Sequence, residues 1–106
     1  MLAADISGKW TFSVDLEDGG HGDPTFVFKQ QGEKLSGTYN GPLGERDVTG
    51  TVSGSTAKFG FSVERDGATA RVTYTAKIES ATKMSGAINI AGPDGSGSGK
   101  WTATRQ

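Results

Sequence analysis

The chain has 106 residues, 17 of them glycine, no cysteine and a formal net charge of −1. That length supports one core, expected as a single β-barrel domain over 1–106, and the missing thiols exclude disulfides, thiolate metal centres and cysteine catalysis. Interspersed charges leave no basic field, and no apolar run approaches the ~20 residues of a membrane-spanning helix, so neither nucleic acid nor membrane is expected as a partner.

The first element, residues 7–16, sets the pattern. Trp10, Phe12, Val14 and Leu16 alternate with Lys9, Thr11, Ser13 and Asp15, as on a strand with one dry and one wet face. A polar, glycine-rich connection over 17–24 follows. The second strand, Thr25 to Gln30, turns Phe26 and Phe28 inward; the third, Lys34 to Asn40, does so with Leu35, Gly37 and Tyr39. After a loop over 40–45, the fourth strand (45–53) presents Val48, Gly50 and Val52. The fifth (56–64) presents Ala57, Phe59, Phe61 and Val63. Asp66-Gly67 signals a tight hairpin. The sixth strand, 68–79, alternates most regularly, with Ala68, Ala70, Val72, Tyr74, Ala76 and Ile78 inside. The seventh (83–90) presents Met84, Gly86, Ile88 and Ile90, and a loop over 91–97 leads to the eighth (98–105), with Trp101, Ala103 and Arg105 inward.

Ser-Gly or Thr-Gly recurs two residues before a large apolar side chain, as in Ser36-Gly37-Thr38-Tyr39, Ser85-Gly86-Ala87-Ile88 and Ser98-Gly99-Lys100-Trp101. Small and large inward neighbours of this kind fill a narrow, tapered barrel. The expected fold is therefore all-β, an eight-stranded antiparallel up-and-down barrel. Up-and-down parity gathers the connections 17–24, 40–45, 65–67 and 91–97 at one end, with Pro24, Pro42, Pro93 and His21. The other end holds only tight turns.

Gly8-Lys9-Trp10-Thr11, Leu35-Ser36-Gly37-Thr38-Tyr39, Phe59-Gly60-Phe61-Ser62-Val63 and Trp101-Thr102-Ala103-Thr104-Arg105 resemble, in order, the islands of the avidin family. The wider calycin group, lipocalins included, shares a Gly-X-Trp on the first strand and an arginine on the last that lies over it. The resemblance implies a structural closure between Trp10 and Arg105. It does not carry biotin: Phe12 and Arg65 stand where the avidin pattern needs an amide and a tryptophan, and only Tyr39 and Trp101 match its site. The chain also resembles small Gly/Thr-rich exported bacterial barrel domains. That implies an extracytoplasmic, bacterial setting, although Met1-Leu2-Ala3-Ala4-Asp5 has no signal-peptide character.

No inward position carries Asp, Glu or His, so no acid–base pair is expected, and the chain is read as a non-enzyme without a cofactor. His21 with Asp15, Asp18 and Asp23 has ligand chemistry but no ligand spacing, so no metal site is expected. What is left is a barrel that binds a small apolar or aromatic molecule at its loop-rich end, between Phe26, Tyr39, Phe61, Val63, Ala70, Ile90 and Trp101, with Val14 beside them. The Tyr39 hydroxyl and the Trp101 indole N–H would orient it. The alternative is a solid-core accessory domain, appended to an enzyme or inhibiting a protease. Polar outward faces predict a monomer.

Overall fold

The computed structural model describes residues 5–41, 44–65, 67–92 and 95–106. The alternating segments form one antiparallel sheet: β1 (Gly8–Leu16), β2 (His21–Gly22), β3 (Thr25–Gln31), β4 (Lys34–Gly41), β5 (Gly44–Ser53), β6 (Thr56–Arg65), β7 (Ala68–Ile78), β8 (Lys83–Gly92) and β9 (Gly95–Arg105). From β3 to β9 each strand pairs with the next. β1 takes β2 and β3 along one edge and β9 along the other, from Trp10–Arg105 to Leu16–Gly99, which closes the barrel.

β2 is the start of β3. Val14 faces Gly22 and Thr11 faces Thr25 in one unbroken register, and between them the Phe12 N–H donates to the Pro24 carbonyl at 2.9 Å. Pro24 has no N–H to return, so the ladder lapses at that point alone. The expected loop over 17–24 is thus mostly a hairpin arm folded along β1. Its turn is held by Leu16 N–H to Gly20 O at 2.8 Å and Gly19 N–H to Leu16 O at 3.0 Å.

The loops expected over 40–45 and 91–97 are also largely strand. Gly41 pairs with Gly44 and Gly92 with Gly95, leaving two residues between the strands in each case. Pro42, Pro93 and the Asp66 of the expected hairpin lie outside the described residues. One seam opens: the β5–β6 ladder ends at Thr49–Gly60, above which residues 44–48 pair with β4 and 61–65 with β7.

The large inward side chains are buried from the tight end as far as Val14, Tyr39, Phe61, Val72 and Ile88, while Leu16, Val63 and Ile90 nearer the other rim are half-buried, and the large rings converge on Phe12. Its centroid lies 4.3 Å from Phe26, 4.6 Å from Trp101, 5.9 Å from Tyr74 and 6.1 Å from Phe59. Burying each such ring stabilises the fold by about 1.5–3 kcal/mol, with edge-to-face geometry adding to it. The small–large pattern places a glycine across the ladder from a ring: Gly37 from Phe28, Gly50 from Phe59, Gly86 from Trp101. At Gly86 a Cβ would stand 1.8 Å from the Thr75 carbonyl oxygen, so this close strand approach requires glycine.

The tight end is plugged. Ile6, 1% exposed, enters the core beside Trp10, whose indole N–H donates to the Ile6 carbonyl at 3.0 Å. The Arg105 guanidinium lies 5.0 Å from the Trp10 ring centroid and donates to the carbonyls of Ala81 (2.8 Å), Ser7 (2.5 Å) and Asp5 (2.7 Å). Gln30 adds two clamps, accepting from the Ile6 N–H at 2.9 Å and donating its own N–H to Ser7 Oγ at 3.0 Å.

Candidate functional site

At the opposite end the core stops short of the rim. Above the ring cluster lies a cavity of about 220 Å³. β1 contributes Val14 and Leu16, β4 Tyr39, β7 Val72 and Tyr74, and β8 Ile88 and Ile90; the hairpin arm covers it with Gly20, His21, Gly22 and Pro24. An open groove adjoins it through Leu16 and Ile90, bordered by Glu17, Asp18, Ala70 and Asn89. The wall is aliphatic and aromatic because inward parity runs unbroken to the strand ends, where no opposite ring reaches across.

The expected site residues separate into three groups. Val14, Tyr39 and Ile90 line the cavity, while Ala70 borders the outer groove. Val63 is half-buried against the core. Phe26, Phe61 and Trp101 are packed away: Phe26 is 0% exposed under Phe12 and Phe28, Phe61 lies 4.5 Å from Tyr39, and Trp101 stacks on Phe12. Trp101 also lacks a free donor. Its indole N–H is spent on the Ala87 carbonyl at 2.9 Å, because the ring lies over Gly86 and reaches the neighbouring backbone.

Tyr74 brings a polar group to the cavity from β7. Its side chain is 2% exposed and its ring stacks on Phe59 at 5.3 Å and 8°. Its hydroxyl makes no hydrogen bond among the described residues, yet none of their polar atoms is sealed off without a partner, so that oxygen opens on the cavity. Burial first, and the neighbouring Tyr39 second, push the Tyr74 phenol well above its ordinary range, which keeps it protonated. Tyr39 is engaged elsewhere, its hydroxyl lodged near Gly41 and Pro24, where a Cβ on Gly41 would come within 2.7 Å of it.

His21 sits on the exposed rim. Nδ1 lies 2.7 Å from Asp15 Oδ1 and Nε2 3.1 Å from Asp23 Oδ1, so the ring ties the hairpin arm to β1. The Asp15 hydrogen bond, then the charge of Asp23, raises its pKa above 6.5. No group of three or more metal-ligating side chains occurs among the described residues. The covering arm was missing from the expected site, and inward parity left Tyr74 open to lining a pocket or filling the barrel. A signal existed for the arm, since Gly22 and Pro24 share the parity of Phe26 and Phe28.

No protein-family model matches the sequence, and no curated protein matches it. The fold is similar to solved designed barrels. A redesigned β-barrel, b11L5F_LGL, matches with a TM-score of 0.71 at 19% identity over 95% of this chain and 91% of that one. EF1p2_mFAP2b, solved bound to DFHBI, gives 0.70 at 17% identity over 95% and 94%. A de novo designed fluorescence-activating β-barrel gives 0.65 at 17% identity over the whole of both chains. At such identities the likeness establishes the small closed antiparallel barrel and nothing finer.

Proposed function

We propose that this chain is a non-enzymatic barrel that binds a small apolar or aromatic molecule at its mouth. The observation that carries the reading is the 220 Å³ cavity, walled by Val14, Val72, Ile88 and Ile90 above an otherwise filled core. Small-ligand sites have this make-up, mostly apolar with few polar groups. The barrel neighbour solved with DFHBI supports the same use of the architecture. Trp10 beneath Arg105, in the place the calycin group uses, supports an avidin- or lipocalin-like relationship without biotin. The likeness to small exported bacterial barrel domains supports an extracytoplasmic, bacterial setting, and the polar outward faces support a monomer. Val27, 45% exposed, is the large apolar side chain left open among the described residues.

The test is titration of apolar fluorophores against the wild type and Val72→Phe, which fills the cavity from β7. Binding to the wild type and its loss in a folded Val72→Phe is the expected result. Absence of binding to both would return the chain to the accessory-domain reading, which the solid ring cluster around Phe12 favours.

A further inference from the structure

Resting on that binder reading, we infer that the ligand is a neutral one-ring aromatic whose inner end carries a hydrogen-bond acceptor, a carbonyl or ether oxygen, received by the Tyr74 hydroxyl. Three observations define it. The first is the hydroxyl itself: on a side chain 2% exposed, without a partner among the described residues, it opens on an apolar cavity. A ligand that covers this oxygen strips it of water, and a polar group then left unpaired is costly, so the site discriminates for a ligand that completes it. Because the phenol is held protonated, it offers a proton, and the complementary group is an acceptor.

The second is size. An apolar cavity of about 150 Å³ accommodates benzene. At about 220 Å³ this one takes a single ring with a short substituent. The third is charge. One hydroxyl cannot replace the hydration of a carboxylate, so the inner end is uncharged. Glu17 and Asp18 border the outer groove, and Asp15 and Asp23 flank His21, so the rim also disfavours an anionic outer end.

The experiment compares acetophenone with ethylbenzene, near-isosteres that differ in the carbonyl, by calorimetric titration of the full chain and of Tyr74→Phe. The substitution keeps the ring that stacks on Phe59. It is expected to weaken acetophenone about five- to tenfold, the scale of one neutral hydrogen bond, and to leave ethylbenzene unchanged or tighter. Equal effects on both probes, or no effect on either, overturn the acceptor inference while leaving the binder reading intact. Failure of both probes to bind the wild type overturns the two together. If Tyr74→Phe does not fold, wild type carrying [13Cζ]tyrosine decides: acetophenone, and not ethylbenzene, should move the Tyr74 resonance downfield, and identical responses refute the inference.

Discussion

Replacing Arg105 with methionine tests how the tight end is closed. Methionine keeps an apolar stem over Trp10 but removes three guanidinium bonds, to Ala81, Ser7 and Asp5, together with the cation–π contact at 5.0 Å. Each bond contributes about 0.5–1.5 kcal/mol net, and the cation–π contact about 0.5–1 kcal/mol at an exposed site. Arg105 is half-buried, so water replaces part of what is lost and the lower values apply. Gln30 still holds Ile6 and Ser7, so the plug stays seated and Ile6 keeps its burial. The sum is about 2–3 kcal/mol. Urea unfolding followed by tryptophan emission measures it as a lower midpoint at unchanged slope. Arg105→Lys should recover less than half, because an ammonium cannot span three separated carbonyls. A loss under about 0.5 kcal/mol for Arg105→Met would refute the plug as a structural device.

Trp10→Ala removes a ring 0% exposed and should cost about 3–5 kcal/mol in the same assay. Gly86→Ala sets a Cβ against the Thr75 carbonyl and should destabilise by more than the ordinary few tenths of a surface change; thermal unfolding should show a Tm several degrees lower. For His21, the folded pKa is raised, so its tie to Asp15 and Asp23 is complete below about pH 6.5 and is lost as pH rises through the folded value. NMR titration of the imidazole should give a midpoint above 6.5 that falls back in Asp15→Asn; a midpoint at or below 6.5 in the wild type contradicts the clasp. Both carboxylates are exposed, so added salt should weaken the effect.

The repeating alternation of Trp10, Phe12, Val14 and Leu16, and of Ala68 through Ile78, determined by itself which face of each strand is dry, because strand side chains have period two. Glycines two residues before large apolar positions likewise announced a narrow barrel, since only a hydrogen lets a ring or a neighbouring strand approach so closely. Loop lengths were misread at Pro24, Gly41-Gly44 and Gly92-Gly95. Proline and glycine mark a turn locally, yet whether the ladder resumes beside them depends on the strand across the gap. The site depended on tertiary structure for a related reason. Phe26, Tyr39, Phe61 and Trp101 have the same inward parity, and parity does not say which rings meet and fill the centre. Only closure of the barrel showed that Phe12 gathers Phe26 and Trp101, that Ala87 takes the Trp101 donor, and that Ile6 enters as a plug. The Tyr74 hydroxyl was left facing open space because cavity volume is set by the difference between the barrel's bore and the side chains that reach across it, a quantity that no single strand encodes.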